Sequence, residues 1–345
     1  MALRRCASVP IAGLVVVQTL GASGSARAQS PAQSLTEEVS ITAGASTEDV
    51  GAVGTQVRLF GEVKPRVRFY LEGAWGSRSA AVTDAFGSAY PYDKRVKVIE
   101  AYAERIVQRN SRVAGIRLGR YRTPFGIYDR GDHAYTGFLR APLIRYDNYF
   151  GLSNNFLEGG VDLMVGTPHV NAEVSLGVPQ DVGAAVRRSG LDRVVRVQAY
   201  QGSLLVGASL IRAKPYDRRA FVKGDLRFAG VDARWMAHGI QLRGEWITGT
   251  PFSGVPGVST TGWYLDGSVH RRQTGPVTLV ARAERLDYPA GRFSAYGRRY
   301  TAGARVQITS SLVGQINVMH QPLTLIAAQK RTTVDIGVTY LVRYP

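Results

Sequence analysis

Residues 119 to 131, GRYRTPFGIYDRG, gather three arginines and two tyrosines around a Pro-Phe-Gly turn. The planar guanidinium group presents a fork of donors that suits phosphate and carboxylate groups. A second set of reactive residue types follows closely, with Asp132 beside His133 and Ser153 nearby in sequence. The first set indicates anion binding, whereas the second resembles a dyad and nucleophile for hydrolysis, so the two sets point to different classes of protein.

Hydrolysis has little further support in the sequence. The chain after residue 28 contains no Gly-x-Ser-x-Gly and no His-Glu-x-x-His motif. The other histidines do not form a cluster with metal-ligand spacing; they are His169, His238, His270 and His320. We therefore expect no catalytic residue, no metal and no cofactor, and we keep an outer-membrane phospholipase or protease as the alternative.

The N-terminus indicates export. Residues 1–28 combine a basic start, an apolar run and the small-residue site Ala26-Arg27-Ala28, which is typical of a cleaved signal peptide. Cys6, the single cysteine, lies in this leader, so the mature chain is expected to have no disulfide and no cysteine-ligated metal. We expect residues 29–37 to form a periplasmic segment and residues 38–345 to form one β-barrel.

The chain is strongly basic, with 43 Lys+Arg against 26 Asp+Glu. Exported basic chains meet phosphates, acidic lipids or anionic solutes. After the leader no apolar run is long enough for a membrane-spanning helix. The glycine- and tyrosine-rich composition is typical of a β-protein and too apolar for a disordered one.

From about residue 38 the chain alternates at period two in segments of about 9 to 11 residues, the length of a tilted membrane strand. In residues 66–76, Leu71 and Trp75 lie on the apolar face and Glu72 on the polar face; residues 99–104 likewise place Ile99 opposite Glu100. In a soluble sandwich the apolar face would be the core. In an outer-membrane barrel it faces lipid, and the charged face lines a lumen.

Connection lengths favour the barrel, because short periplasmic turns alternate with longer outer loops. The predicted short connections are Lys64-Pro65, Asn110-Ser111, Thr167-Pro168, Gly202-Ser203, His238-Gly239, Gln273-Gly275 and Ser310-Ser311. The predicted long ones are 47–52, 77–93, 122–155, 178–190, 213–220, 250–261, 288–297 and 321–331. The expected fold is therefore all-β, a closed antiparallel transmembrane β-barrel of about sixteen strands with both ends in the periplasm. One strand breaks the alternation near Gly230, where the sequence predicts a β-bulge.

Residues 122–155 form the longest connection, which would be the third outer loop. A loop of this length inside a compact domain is normally functional. The segment Gly119-Arg120-Tyr121-Arg122-Thr123-Pro124-Phe125-Gly126 resembles the G-R-[FY]-x-T-P-F-G stretch of phosphate-selective porin O/P-like proteins. The resemblance implies a bacterial outer-membrane porin whose third loop folds inward and forms the constriction.

That resemblance makes the arginines of this region candidates for an anion-binding constriction: Arg120, Arg122, Arg130, Arg140 and Arg145. The alternative is that these arginines pair with Asp129, Asp132 and Asp147 and only stiffen the loop. The residues themselves leave both interpretations open.

The expected lumen wall carries both signs of charge. Its basic members are Arg58, Arg66, Arg68, Arg117, Arg196, Arg234, Arg243, Arg282 and Arg305. Its acidic members are Glu62, Glu72, Glu100, Glu104, Glu158, Asp162, Glu173, Asp232, Glu245, Asp266, Glu284 and Asp335. The wall itself is therefore not expected to be cationic.

The basic excess falls instead in the predicted outer loops, at Arg187, Arg188, Arg212, Lys214, Arg218, Arg219, Arg292, Arg298, Arg299, Lys330 and Arg331. These residues would either form a positive funnel for anions or bind phosphates of outer-membrane lipid and lipopolysaccharide.

The sequence thus predicts a channel for passive diffusion of small hydrophilic solutes, with anions such as phosphate as candidate solutes, a homotrimer as a candidate assembly and no nucleic-acid partner. A third class, a structural or adhesive barrel, would need far fewer strands or a plugged lumen.

Overall fold

The computed structural model describes residues 35–48, 50–64, 66–77, 95–127, 136–145, 157–180, 188–215, 225–250, 259–270, 275–288, 295–323 and 331–344. The predicted signal peptide, residues 1–28, lies outside the described residues, as do residues 29–34 of the predicted periplasmic segment. No helix formed by the described residues is long and apolar enough to cross a membrane.

The described residues form sixteen β-strands. In chain order they are β1 (Leu35–Ser46), β2 (Val50–Lys64), β3 (Val67–Gly76), β4 (Lys97–Arg109), β5 (Arg112–Arg122), β6 (Leu157–Gly166), β7 (Val170–Pro179), β8 (Arg188–Gln201), β9 (Leu204–Pro215), β10 (Leu226–Ala237), β11 (Ile240–Gly249), β12 (Thr260–His270), β13 (Val277–Tyr288), β14 (Ala295–Gln307), β15 (Leu312–Leu323) and β16 (Arg331–Tyr344).

The strands close into one barrel. Each strand pairs antiparallel with the next, and β1 pairs with β16, from Glu37 opposite Tyr344 to Ser46 opposite Asp335. The prediction of a closed antiparallel barrel of sixteen strands is therefore confirmed. The first strand begins at Leu35, whereas the sequence placed the start of the barrel at residue 38.

The connections on one rim are mostly shorter than those on the other, as the sequence predicted. One rim carries the connections 65–66, 110–111, 167–169, 202–203, 238–239, 271–276 and 308–311. We call it the turn rim, and both ends of the described chain lie there. The opposite rim, called the loop rim, carries the third connection between β5 and β6. Its first connection spans only 47–49, shorter than the expected 47–52, because β2 begins at Val50.

The outer surface of the barrel is apolar. Leu71, Trp75, Trp246 and Trp263 are between 38% and 41% exposed. Trp246 and Trp263 are register partners on β11 and β12. A surface of this composition is stable when lipid rather than water covers it. These four side chains face outward, as the alternation predicted for Leu71 and Trp75.

The inner surface is polar and closely filled. Thr42, Glu72, Asp162 and Ser175 have no exposed surface. The hydroxyl groups of Thr42 and Thr339 are hydrogen-bonded at 3.0 Å across the seam between β1 and β16. The face that carries charge is thus the inner one, the reverse of a soluble sandwich.

The prediction of a β-bulge near Gly230 is wrong. β10 pairs with β9 and with β11 in uninterrupted register. Leu226 and Phe228 are buried on the inner face, together with Asp232. The sequence alternation is interrupted here because these two apolar side chains point into the barrel, where they meet other apolar groups.

Register irregularities occur elsewhere, between β2 and β3, β3 and β4, β8 and β9, and β14 and β15. The one between β3 and β4 affects a sequence prediction. Their register shifts between Glu72 and Gly73, since Glu72 is opposite Glu100 and Gly73 is opposite Val98. Ile99 is left without a partner in this pairing and is 2% exposed. The expectation that Ile99 lies on the outer apolar face is therefore wrong, because the bulge turns its side chain away from that face.

Candidate functional site

The segment that opens the third connection lies at the end of β5. Gly119 has φ of 131°, and a Cβ there would overlap the carbonyl oxygen of Ala101. Only glycine fits this position without a shift of the neighbouring strand. Two residues further on, Tyr121 is buried, and its hydroxyl is hydrogen-bonded to Ser175 Oγ at 2.8 Å. This glycine therefore permits the close approach of β4 and β5 beneath the loop.

The Pro-Phe-Gly turn directs the chain away from β5 and across to the far wall. Gly126 N donates to Ser209 Oγ on β9 at 3.2 Å. The ring of Phe125 lies so close to Gly230 on β10 that a Cβ there would stand 3.1 Å from Phe125 Cζ. Ser209 and Gly230 belong to the inner face, so this contact is made inside the barrel. Gly230 therefore makes room for the Phe125 ring.

Arg120 is bound to main-chain carbonyls at the end of β5. Its Nε donates to the Ile99 carbonyl at 3.0 Å, and one terminal nitrogen donates to the Gln180 carbonyl at 2.9 Å. These bonds tie Arg120 to the wall.

Arg122 is bound to the carboxylates of the neighbouring wall. Its Nε donates to Glu100 Oε2 at 2.8 Å, and a terminal nitrogen donates to Glu72 Oε1 at 2.8 Å. Arg58 adds a further ion pair to Glu72 at 3.4 Å. Arg122 thus joins a chain of alternating charges on the inner wall, with 19% of its side chain exposed.

Residues 136–145 lie against the inner face of β12 to β16 through hydrogen bonds to their main chain. Asn317 makes two hydrogen bonds to the main chain of this segment. Its Oδ1 accepts from Leu139 N at 2.8 Å, and its Nδ2 donates to the Gly137 carbonyl at 2.9 Å. Glu284 Oε2 accepts from Leu143 N at 2.7 Å. Side chains of two strands, β13 and β15, therefore replace bonds that a free loop would make with water.

Two buried arginines bind the carbonyls of the same segment. Arg282 donates to the Arg140 carbonyl at 2.8 Å, and Arg299 donates to the Ala141 carbonyl at 2.5 Å. Arg299 is fully buried and also holds Glu284 in an ion pair at 2.7 Å. The expectation that Arg299 belongs to an outer loop is wrong, because β14 extends to Ala295 and turns this side chain inward.

Arg140 itself is neutralised. Its Nε donates to Asp335 Oδ2 at 2.6 Å, and a terminal nitrogen donates to Glu48 Oε2 at 2.8 Å. Only 5% of its side chain is exposed. Of the other candidate constriction arginines, Arg130 lies outside the described residues. Arg145 ends the short 3-10 helix Leu143–Arg145, and only its main chain is described.

Apolar side chains of residues 136–145 also pack against the inner wall. Ile144 lies against Gly262 of β12, where a Cβ would come within 2.5 Å of Ile144 Cγ2. Leu139 lies against Gly337 of β16 in the same way, at 2.7 Å. The inner wall thus carries glycines where the segment approaches most closely.

Most expected lumen arginines are paired with carboxylates on neighbouring strands. The pairs are Arg117 with Glu104 and Asp162, Arg196 with Asp232, and both Arg243 and Arg282 with Asp266. Glu245 is buried at 3% exposure, and Arg305 donates to Gln307 at 2.9 Å. Arg68 is more than half exposed near Glu104, and Arg66 lies exposed in the turn after β2. Mixed charge on the wall is therefore mostly compensated locally.

Arg234 differs from these residues. It lies on β10 opposite Arg243 of β11, with an exposed side chain that forms no ion pair with any carboxylate in the described ranges. It lines a cavity of about 220 Å³ with Gln241, Ser268 and His270, beneath Phe138 of the third connection. Asp266 also lines this cavity and compensates Arg243 at 2.7 Å, so the charge available to a small anion is that of Arg234, with hydroxyl and amide groups around it. Nothing in the sequence separated Arg234 from the other lumen arginines.

The residues of the hydrolytic interpretation, His133 and Ser153, lie outside the described residues. Within the part of the chain that the structure describes, no group of three His, Cys, Asp or Glu side chains could hold a metal ion.

No protein-family model matches the chain, and no curated protein matches it. Solved structures do match in fold. An anion-selective porin from Comamonas acidovorans is 14% identical, with a TM-score of 0.62 over 90% of this chain and 99% of the other. Salmonella typhi OmpF is 12% identical, with a TM-score of 0.60 over 90% and 97%. OmpT, an outer membrane protein of Vibrio cholerae, is 12% identical, with a TM-score of 0.58 over 90% and 97%. The chain therefore has the barrel fold of outer-membrane porins.

Proposed function

We propose that this protein is an outer-membrane porin, a water-filled channel for the passive diffusion of small hydrophilic solutes. The observation that carries the proposal is the inverted barrel, apolar on the outside at Leu71 and Trp246 and charged on the inside at Glu72 and Arg196. A closed barrel of sixteen strands encloses an aqueous channel rather than a packed core. The polar inner face is then the wall of a path through the membrane.

The third connection narrows this path from one side. Residues 136–145 cover the arc from β12 to β16, where the side chains of Arg282 and Arg299 are 2% and 1% exposed. On the arc from β2 to β5, Arg58, Arg117 and Arg122 keep 14% to 20% of their side chains exposed. Solutes would pass between the connection and this second arc.

The proposed solutes include small anions such as phosphate. Arg122 and Arg140 do not supply the attraction, since carboxylates compensate both charges. Arg234 does, because its charge is uncompensated among the described carboxylates and it lies beside Arg243 in the cavity under Phe138. The fold neighbour from Comamonas acidovorans, an anion-selective porin, gives this preference a parallel.

The test is electrical. Purified protein is added to planar phospholipid bilayers, and single-channel conductance and the reversal potential are measured across a potassium chloride gradient. We expect conductance in discrete steps and a reversal potential whose sign shows that chloride carries most of the current. Absence of channels from correctly folded protein would overturn the porin assignment, whereas a cation-selective channel would overturn only the anion preference. The homotrimer stays a prediction, and the mass of the native protein in detergent tests it.

A further inference from the structure

Three arginines on neighbouring strands share one level of the barrel and face outward. Arg193 of β8 is the register partner of Arg212 of β9, and Arg212 is the register partner of Arg227 of β10. All three side chains are exposed, whereas the adjacent Val194 and Phe228 are buried on the inner face. We call these three residues the arginine row. Register partners on adjacent strands are about 5 Å apart, so the row is a continuous basic stripe.

The row lies near the edge of the apolar outer surface, with the exposed Leu191 as a further apolar residue beyond it on β8. The next outward residues toward the turn rim are Val195 on β8 and Leu210 on β9, which are 44% and 61% exposed. Val231 continues the apolar surface on β10 with 49% exposure. The arginine row is thus at the level where lipid tails end and headgroups begin, on the side of the loop rim.

The charges of the row are only partly compensated by the protein. Asp225 accepts from Arg212 Nε at 2.5 Å. Arg193 and Arg227 form no ion pair with any carboxylate in the ranges that the structure describes, and the exposed Lys214 adds a further positive charge next to Arg212 in the strand. Like charges directly opposite each other on paired strands destabilise a sheet. An external anion would relieve this repulsion.

We propose that the arginine row binds the phosphate groups of an outer-leaflet lipid, the bisphosphorylated lipid A part of lipopolysaccharide. The proposal rests on the membrane placement of the proposed function. Arginine forks bind phosphate in bidentate geometry, and the exposed Val195 and Leu210 lie where the acyl chains of the same molecule would continue. The side chains of the row are separated from the lumen by the barrel wall, so they would not act as a funnel for solutes. For Arg212 this resolves the two interpretations that the sequence left open.

Binding of bisphosphorylated lipid A to the purified full-length protein in a non-ionic detergent tests the proposal. The variant Arg193→Gln/Arg227→Gln should bind at least about tenfold more weakly than the wild type, since each arginine near an anionic lipid surface contributes about a factor of five. The matched control is Arg109→Gln/Arg112→Gln, which removes a register pair of exposed, outward arginines at the turn rim. The control should bind like the wild type.

Three outcomes would overturn the proposal. They are equal binding by the row variant and the wild type, equal binding of wild type to lipid A and to dephosphorylated lipid A, and binding of inorganic phosphate as tight as that of lipid A. The comparison of the two lipids needs only the wild type, so it decides the question even if the row variant fails to fold. Channel conductance in phospholipid bilayers should be the same for wild type and row variant, so a failure here is distinct from a failure of the porin assignment.

Discussion

Arg140 Nε lies 2.6 Å from Asp335 Oδ2, which joins the third connection to β16 by a buried ion pair. The carboxylate is 1% exposed, and Glu48 approaches the same guanidinium group at 2.8 Å. Because the charge of Arg140 is compensated on two sides, its effect is mainly on the position of the connection. Arg140, for which the sequence left anion binding and ion pairing both open, therefore holds residues 136–145 against the wall.

Replacing Arg140 should loosen this attachment. Arg140→Gln leaves Asp335 buried without its main counter-charge, a change that typically costs about 3 to 5 kcal/mol. We expect the midpoint of unfolding in guanidinium chloride to fall, and the single-channel conductance to become larger and noisier. The double variant Arg140→Gln/Asp335→Asn removes both charges and should recover much of the lost stability. Equal stability of Arg140→Gln and wild type would show that the ion pair does not hold the connection.

The glycine contacts of the connection give a second prediction. A Cβ at Gly262 would stand 2.5 Å from Ile144 Cγ2, so Gly262→Val must displace the segment from β12. Overpacking of this kind costs about 1 to 3 kcal/mol. We expect reduced thermal stability and a changed single-channel conductance. Gly267→Val on the outer face of the same strand is the control, because the nearest side-chain atom there is 3.5 Å away. The contact argument would be wrong if both variants behaved alike.

Much of the fold could be predicted from local sequence. A period of two and alternating connection lengths give strands, rims and faces, because each depends only on neighbouring residues. The errors at Ile99 and Gly230 have different origins. A bulge between β3 and β4 buries Ile99, whereas at Gly230 the ring of Phe125 from the third connection packs against the inner face. Periodicity alone does not distinguish an apolar residue that faces lipid from one that packs against a loop.

For the site, the sequence allowed prediction of the residue types but not of the contacts between them. Arg140 and Asp335 are 195 positions apart in sequence, and their contact depends on the closure of β1 onto β16. Arg299 had a local signal, because Tyr296 and Tyr300 on the same strand are exposed while Arg299 has the opposite parity. No such pattern in the sequence indicates that Arg234 has no ion pair with a described carboxylate. It has none because the nearby carboxylates are paired with other arginines.

The hydrolytic alternative yields a third prediction. Purified wild type should fail to cleave phospholipid vesicles or casein, because neither His133 nor Ser153 belongs to a recognised catalytic motif. Since neither substitution removes a formal charge when the histidine is neutral, His133→Ala and Ser153→Ala should also leave the single-channel conductance and the reversal potential at wild-type values. Hydrolysis that either substitution abolishes would favour the enzyme interpretation over the channel.

The last prediction concerns the origin of the anion preference. Arg234→Gln removes a lumen charge that has no carboxylate partner among the described residues, so we expect the reversal potential to move toward zero. Arg122→Gln should move it less, since Glu72 and Glu100 already compensate that charge. Arg112→Gln is the matched control, because Arg112 lies at the turn rim on the outward face of β5. It should leave the reversal potential unchanged.

Ionic strength provides an internal check on this last prediction. The Debye length falls from about 10 Å at 0.1 M salt to about 3 Å at 1 M. The difference between Arg234→Gln and wild type should therefore be largest in dilute salt and shrink as the concentration of both solutions is raised at a constant ratio. If Arg234→Gln keeps the wild-type reversal potential in dilute salt while Arg122→Gln loses it, the preference arises at the ion-paired arc of β2 to β5 instead of the cavity under Phe138.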